Sequence, residues 1–379
     1  MRILIIAATP FFSNRGAHMR ILNEAKYLQK LGALTRLCTY HIGENIVGID
    51  IARIKGPACY KKISPGFSWG KIWLDLKMLF LVRREIRKYN PDIIHAHLYE
   101  GLVIGFLAKE AAFKKIPIVF DLQGNINEEF KSYSKKNNLA RKFFVWLAKI
   151  VINWADKIVV SSENVGCRCP TPTTVIKDGI DLELFQDQPK ADPPLAEMEK
   201  IKKWAGDSKL LVYIGGLSDN KGVGELLKVF KKLQELGSWR NNSWKLLLGG
   251  FGEDEEKYKK YTTENNLEKS VYFAGKVKYF SLPRYLALAS AGIDPKSGST
   301  ESSGKLMNLM AAGLPIVCFE NDFNRARLGD KGLYLKTFDD LPGILENITS
   351  AKKISYNLEN LSEEKEARKL FEIFDNLVK

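Results

Sequence analysis

The segment 294–315 carries the strongest chemical pattern in the sequence. A strand-like run is followed there by a loop of small residues, and Ser302-Ser303-Gly304-Lys305 opens a helical run. Backbone amides at a helix N-terminus, together with the Lys305 ammonium, are suited to bind a phosphate. Glu301 stands one step outside, where its carboxylate could hold hydroxyl groups carried by that anion. In a purely structural interpretation, Ser303 is an N-cap and Glu301 a helix-dipole partner.

Two further loops lie between a strand and a helix and contain glycine. The loop Gly215–Gly222 includes Gly216 and one lysine, Lys221, a mobile positive charge suited to a diphosphate. The loop Thr9–Ala17 includes Gly16, which permits close approach of a ligand to the backbone just before a helix. Each loop also has a structural interpretation, in which the lysine is a solvated surface residue and the glycine serves the turn.

Two histidines lie in one strand-like run, DIIHAH. We expect His95 and His97 to point to opposite faces of this strand, and we therefore expect no shared metal. His97, at the carboxyl end of the run, could reach a ligand beside the sheet, or it could pack in the core. The sequence has no Asp-x-Asp in a loop after a strand, and the acidic run 252–256 is typical of a helix start. We predict no metal site.

These loops need a scaffold that brings the ends of several strands together. Apolar runs rich in β-branched residues alternate with helical periodicity, which predicts parallel sheets with helical crossovers. The pattern restarts near residue 210, and 379 residues exceed the usual size of one core. We predict an α/β fold of two Rossmann-like, doubly wound domains facing a central cleft, with ligands beyond the carboxyl ends of the strands. The predicted strands are 3–8, 92–97, 117–122, 157–161, 210–214, 244–248, 270–273, 291–294 and 315–319.

The predicted domains are residues 1–185 and 186–354, followed by a closing helix over 355–379. The segment 186–209 carries three prolines and mixed charge, which is typical of a linker with a short helix. The last residues have apolar positions at helical spacing, which predicts the helix.

Composition excludes several classes of protein. The 45% apolar and 27% charged residues are typical of soluble globular chains. The apolar stretches are too short, or too interrupted by lysine, for a membrane span, and the N-terminal run MRILIIAATPFF lacks the cleavage site of a signal peptide. Five scattered cysteines, an odd number, indicate a reducing compartment. We therefore predict a cytoplasmic location.

The net charge of +14 lies entirely in the first half of the chain. Residues 1–160 carry 26 Lys and Arg against 12 Asp and Glu, whereas residues 161–379 carry 32 of each. The segment Lys131–Lys149 mixes basic residues with Phe143, Phe144 and Trp146, and 83–88 is a second basic run. This composition suits a helix on an anionic membrane surface. In the alternative, the aromatic residues are core and the lysines are solvated.

Eight short segments follow one another in a recognisable order: RGAHMR, DIIHAH, ADKIVVSS, VIKDGIDLELF, YIGGLSDNKG, LLLGGFGEDE, VYFAGKV and GKLMNLMAAGLPIV. Together they run nearly end to end. In this order the chain resembles the retaining GT-B glycosyltransferases of the large family-four, or group 1, type.

The resemblance implies a nucleotide-sugar donor in the second domain, an acceptor in the first, and a final helix that returns to the first domain. Our candidate catalytic residues are Glu301, Lys221 and His97. The residues implied in donor binding share the loops described above or lie close to them; they are Gly16, Gly216, Lys221, Lys276, Val277, Glu301, Ser303, Gly304, Lys305 and Asn308.

Three positions depart from the family pattern. Gly216 stands where a basic residue is usual, Asn308 stands at the second of two paired glutamates, and Gln123 replaces a histidine after the third strand. Asn308 can still hydrogen-bond a ribose hydroxyl, and Lys305 can supply the missing positive charge.

The sequence thus predicts a hexosyl- or related glycosyltransferase that needs no cofactor beside its nucleotide-sugar substrate. The expected acceptor is a lipid-linked sugar or polysaccharide precursor of the cell envelope, and the expected transfer proceeds with retention. The alternative is a non-catalytic protein of the same fold that binds a nucleotide-sugar or an anionic polymer. We expect no nucleic-acid partner, because no recognition-helix or RNA-binding signature is present.

Overall fold

The computed structural model describes residues 1–12, 16–57, 60, 69–123, 138–161, 171–186, 195–235, 244–297, 304–348 and 353–379. The chain forms two compact units. The first contains Met1–Gly179 and Ser362–Lys379, and the second contains Ile180–Leu361. The sequence boundaries at 186 and 355 therefore fall slightly inside the second unit at both ends.

Among the described residues, each unit has one parallel sheet. Seven strands in the order β3-β2-β1-β4-β5-β6-β7 make the first sheet, and six in the order β10-β9-β8-β11-β12-β13 make the second. In chain order the strands are β1 Arg2–Ala7, β2 Leu34–Thr39, β3 Ile51–Arg53, β4 Ile93–His97, β5 Ile118–Leu122, β6 Lys157–Val160, β7 Thr173–Val175, β8 Lys209–Gly216, β9 Trp244–Phe251, β10 Val271–Gly275, β11 Ala291–Asp294, β12 Ile316–Phe319 and β13 Gly332–Leu335.

Helices connect the strands. In chain order the α-helices of the described residues are α1 Gly16–Lys30, α2 Trp69–Tyr89, α3 Leu98–Ala112, α4 Asn138–Val151, α5 Leu182–Gln186, α6 Leu195–Ala205, α7 Val223–Glu235, α8 Glu255–Glu264, α9 Leu282–Ala287, α10 Gly304–Ala311, α11 Asp322–Leu328, α12 Leu341–Asn347 and α13 Glu363–Val378. Parallel strands joined by helices confirm the predicted pair of Rossmann-like α/β domains.

The central strands of the first unit are buried on both faces, as continuous apolar runs predict. Right-handed crossovers place α2, α3 and α4 over one face of this sheet, and α3 packs against both α2 and α4. On the opposite face α1 packs against α13. The ring of Phe374 in α13 lies 5.2 Å from that of His95 in β4.

Both sheets reverse their strand order once. In the first sheet the reversal lies between β1 and β4, and in the second between β8 and β11. At such a switch point the loops that follow the two neighbouring strands diverge, which opens a crevice at the carboxyl ends of the strands. Within the described residues, no helix is both long enough and apolar enough to cross a bilayer.

Candidate functional site

The loop after β8 is held in a fixed conformation by its neighbours. The backbone N–H of Asp219 donates to Asp254, and the Asp219 carboxylate accepts a hydrogen bond of 2.9 Å from the Tyr258 hydroxyl. Gly222 has a φ of 78°, and a Cβ there would lie 2.0 Å from the carbonyl oxygen of Pro295. Lys221 belongs to the 3-10 turn just before Gly222, in a loop that follows β8 and packs against the residue after β11.

Lys305 lies at the switch point of the second sheet. Its Nζ is 3.3 Å from Oδ1 of Asp294, the last residue of β11. A Cβ on Gly215 would lie 2.5 Å from the Lys305 Cε, so the lysine stem passes directly over the end of β8. Gly216 is exposed, and a Cβ there would meet nothing within 4 Å. Lys305 therefore lies against Gly215, the residue before Gly216, and both Gly216 and Lys305 stand among the predicted donor-binding residues.

Lys276 and Val277 follow β10 and approach the end of β9. A Cβ on Gly249 would lie 2.7 Å from Val277 Cγ2, and the Lys276 ammonium lies 5.6 Å from the centre of the Phe251 ring. Both residues therefore border the strand next to β8. Their assignment to donor binding stays a prediction.

Of the other predicted donor-binding residues of the second unit, some are described by the structure and some are not. Gly304 begins α10 and is exposed, and Asn308 is half-buried one turn later. Glu301 and Ser303 lie outside the described residues. Gly16, in the first unit, begins α1.

His95 and His97 point to the same face of β4, so our expectation of opposite faces was wrong. Side chains alternate along a strand, and residues two apart therefore share a face. The two imidazole rings are 4.3 Å apart, and both are fully buried against α1 and α13. His95 Nε2 lies 2.8 Å from the Glu24 carboxylate, and His97 Nδ1 lies 2.9 Å from that of Asp121.

Arg20 connects these groups. Its Nε and Nη2 each donate a 2.9 Å hydrogen bond to the Asp121 carboxylate, and its Nε is 3.1 Å from Glu24 Oε1. Nη1 donates to Asp178 and to the Ile176 carbonyl. One buried guanidinium thereby contacts three carboxylates.

The pKa values follow from this arrangement. Burial opposes ionisation of Asp121, but the charge of Arg20 and the hydrogen bond from His97 outweigh it and hold the pKa of Asp121 well below its usual range. Burial, assisted by the neighbouring His95, lowers the pKa of His97. His97 is therefore a neutral imidazole whose Nδ1–H donates to an ionised carboxylate.

Glu24, His95 and His97 have ligating atoms within 4.8 Å of one another, which is compact enough for a metal ion. The Arg20 guanidinium already contacts Glu24 at this point, and a divalent cation would have to share that carboxylate with it. His97 is 0% exposed, so its imidazole is packed in the interior of the first unit. Gln123, at the end of β5, is half-exposed and donates a 2.7 Å hydrogen bond to Asp121.

Several charged residues buried in the first unit were not predicted, among them Arg20, Asp121 and Glu363. Arg20 stands in the quoted segment RGAHMR and Asp121 in the predicted strand 117–122, and neither was given a role. A charged residue inside an apolar helix face or strand was the available signal, because such residues are rarely buried unless paired. Glu363 begins α13, and its carboxylate accepts a 2.9 Å hydrogen bond from the Gly179 N–H.

Comparison with known proteins identifies two families along the chain. The family "Glycosyl transferases group 1" matches residues 196–372, and "Glycosyltransferase Family 4" matches residues 14–184. A putative teichuronic acid biosynthesis glycosyltransferase of Bacillus subtilis is 26% identical over 46% of this chain and 43% of its own length. The sulfoquinovosyl transferase of Arabidopsis thaliana is 24% identical over 83% of this chain and 58% of its own. The chain spans about half the length of the curated relatives it matches.

Solved structures share the fold. Sucrose-phosphate synthase from Thermosynechococcus elongatus is similar with a TM-score of 0.74 and 16% identity, covering 99% of this chain and 98% of that one. The HepE protein of Anabaena, solved in complex with UDP, has a TM-score of 0.68 and 16% identity over 99% of this chain and all of that one. At these identities the likeness shows the GT-B fold alone.

Proposed function

The chain belongs to the group 1 glycosyltransferases, and from this premise we propose that it transfers a sugar from a nucleoside-diphosphate donor to an acceptor hydroxyl, with retention of configuration. The donor occupies the second unit at the switch point between β8 and β11. The sugar nucleotide is a substrate, and no further cofactor takes part.

One observation carries the donor assignment. The Lys305 stem lies over the end of β8 while its ammonium is 3.3 Å from the last residue of β11, so a positive charge sits where the strand order reverses. Open α/β sheets bind their ligands at this place. A diphosphate here would exchange the Asp294 contact of Lys305 for a phosphate oxygen and would gain Lys221 from the adjoining loop.

The proposed chemistry is electrostatic. Lys221, Lys305 and the amides of Ser303 and Gly304 stabilise the charge that develops on the leaving diphosphate. Glu301 holds hydroxyl groups of the donor sugar. We propose a front-face displacement, in which the leaving phosphate takes the proton of the acceptor hydroxyl and the acceptor oxygen bonds to the anomeric carbon on the same face. These two lysines supply the positive charge at the diphosphate, so the proposed transfer is independent of metal.

We propose that the acceptor is a lipid-linked sugar or polysaccharide precursor of the cell envelope, used on the cytoplasmic side of a membrane. The Bacillus relative is named for teichuronic acid biosynthesis, and the Arabidopsis relative for sulfoquinovosyl transfer. The charge of the first unit and the buried free thiols of Cys38 and Cys318 support this location.

Calorimetric titration with uridine, guanosine, adenosine, cytidine and thymidine diphosphates, without metal, tests the donor site. Uridine diphosphate is the first ligand to try, because HepE was solved with it. We expect one diphosphate to bind selectively and Lys221→Ala to weaken it about tenfold, or about 1.4 kcal/mol. Lys228→Ala, which removes an exposed lysine of α7 paired with Glu225, is the matched control and should leave the affinity unchanged.

Binding of none of the diphosphates would overturn the donor assignment. Selective binding without turnover of the corresponding sugar nucleotide would favour a non-catalytic binding protein, for which the departures at Gly216 and Asn308 are the specific argument. Chromatographic detection of free diphosphate after incubation with the sugar nucleotide distinguishes the two.

A further inference from the structure

Helix α2 is apolar on two opposite faces. Its inner face is buried in the core of the first unit through Leu74, Met78, Val82 and Ile86. On its outer face Ile72, Trp73, Leu76 and Phe80 are exposed by 48%, 45%, 51% and 61%. Three of them follow the i, i+4, i+8 spacing of a single helical stripe. We call Ile72, Trp73, Leu76 and Phe80 the apolar stripe of α2.

The next turns of the same stripe are basic. Arg83, Arg84, Arg87 and Lys88 line a surface cavity of about 380 Å³ together with Phe80. We call these four residues the basic end of α2. Arg83 is anchored because its Nε donates a 3.0 Å hydrogen bond to the Ala111 carbonyl at the end of α3.

The acidic residue within this basic end is already compensated. Glu85 is 1% exposed and pairs with both Arg36, at 2.9 Å, and Arg84, at 2.8 Å. The cavity therefore presents a net positive charge that no nearby residue of α2 cancels. A cavity of this charge, directly after an apolar stripe, fits a ligand that has an anionic head and an apolar body.

Exposed apolar side chains are concentrated on the helical layer formed by α2, α3 and α4. Besides the stripe, α3 and α4 expose Leu107, Trp146, Leu147 and Ile150, and Phe113, the residue after α3, is 90% exposed. Of the described residues of α1 and α13, which cover the opposite face of the sheet, Val378 alone is a large exposed apolar residue. A soluble surface rarely gathers so many apolar residues on one side without a partner.

We propose that the apolar stripe and basic end of α2 dock the protein on an anionic phospholipid bilayer. The stripe enters the boundary between headgroups and acyl chains, and the basic end binds lipid phosphates. A helix in this position typically combines a large apolar face with Lys and Arg near the surface, each basic residue contributing to the attraction. A nucleic acid would leave the aliphatic residues without a role, and so would a free phosphate.

All residues of the surface lie in the first unit, whereas the proposed donor residues that follow β8 and β11 belong to the second. The two proposals can therefore fail independently. If a variant of this surface loses membrane binding but still binds the nucleoside diphosphate, the loss concerns the docking surface and not the donor site.

Sedimentation of the full chain with vesicles tests the proposal. We compare vesicles of phosphatidylcholine alone with vesicles that contain phosphatidylglycerol as about a third of the lipid. The wild type should bind the anionic vesicles at least tenfold more tightly, with an affinity that falls as salt rises. Arg84→Glu with Arg87→Glu should reduce this binding at least tenfold, and Leu76→Ser with Phe80→Ser should reduce it to a similar extent.

Matched controls use exposed residues elsewhere. Lys202→Glu with Lys203→Glu, in α6 of the second unit, makes the same charge change and should retain nearly full binding. Val47→Ser removes an exposed apolar residue of the first unit outside the helical layer and should also retain it. Circular dichroism and retained binding of the nucleoside diphosphate verify that each variant is folded.

Equal binding to neutral and anionic vesicles, or undiminished binding by both docking variants, would overturn the proposal. Competition by soluble glycerol phosphate that abolishes vesicle binding would assign the cavity to a free anion. Random-sequence duplex DNA that binds as tightly as vesicles, and loses affinity only in the charge-reversal variant, would assign the surface to nucleic acid instead.

Discussion

Arg20 and Asp121 face each other in the interior of the first unit through two parallel hydrogen bonds, Nε to Oδ2 and Nη2 to Oδ1, each 2.9 Å long. The side chains are 4% and 0% exposed, and they join helix α1 to strand β5. His97 and Gln123 share the same carboxylate. Removing a single partner from this cluster would leave a buried charge uncompensated and would therefore destabilise the fold.

Arg20→Ala should lower the free energy of unfolding of the first unit by about 3–5 kcal/mol. The substitution leaves Asp121 as an uncompensated buried charge, and removing one partner of a buried pair usually costs this much. Urea denaturation, followed by circular dichroism, measures the change. Arg368→Ala is the matched control, since its pair with Glu364 is exposed and such pairs contribute at most about 1 kcal/mol. Similar losses in the two variants would contradict the argument.

Glu363 makes the attachment of α13 dependent on pH. Burial, followed by the nearby Glu24 charge, raises the pKa of Glu363 to about 8, while Arg20 opposes the shift and Asp178 adds to it. The folded protein therefore holds a proton that the unfolded chain releases near pH 4.5. Between these values the unfolded state binds fewer protons, so stability decreases as pH rises, and the decrease ends above about pH 8.

Glu363→Gln should remove this dependence. The amide oxygen can still accept the Gly179 N–H, and the side chain cannot ionise. Unfolding of the wild type and variant from pH 6.5 to 9 should diverge by at most about 1.4 kcal/mol per pH unit up to pH 8, with the variant becoming relatively more stable. The difference between the two proteins cancels contributions from His97. Parallel curves over this range would show that Glu363 is ionised in the folded state.

The sequence predicted the central strands because both of their faces are buried. Strands such as β1 and β8 contain continuous apolar runs, which sequence patterns identify directly. Four strands were not predicted, β2, β3, β7 and β13, and they lie at or next to sheet edges. Three of these have only three or four residues, and edge strands bury too little to carry an apolar run.

The candidate sites were predictable to different degrees. Loops after β8 and β11 could be found because glycine and lysine stand beside apolar runs, and a doubly wound fold brings such loops together. The cluster of Arg20, His97 and Asp121 could not be found by spacing, because Arg20 and Asp121 are 101 residues apart. His97 meets Asp121 only because β4 pairs with β5 in a register that places these two residues opposite each other.

Gly250→Ala should destabilise the second unit by about 1–3 kcal/mol from its backbone conformation alone. Gly250 has a φ of 138°, and a Cβ there would lie 1.8 Å from the carbonyl oxygen of Gly215 on the adjacent strand. Gly216→Ala is the control, because a Cβ at that position meets nothing within 4 Å. Thermal unfolding of both variants measures the contrast. Equal melting temperatures would mean that the ends of β8 and β9 can separate without cost.

Gly216→Lys should tighten binding of the nucleoside diphosphate, by about three- to tenfold. A basic side chain fits at Gly216, which is exposed and has open space around its Cα, and it would add a positive charge beside Lys305 and Lys221. An ion pair with phosphate at a half-exposed site contributes about 0.5–1.5 kcal/mol and weakens with salt. Calorimetry at low and high salt measures both effects. Gly343→Lys adds the same charge at an equally open position in α12 of the same unit, and it should leave the affinity unchanged. If both lysines tighten binding equally, the gain comes from net charge, and the phosphates do not lie at the end of β8.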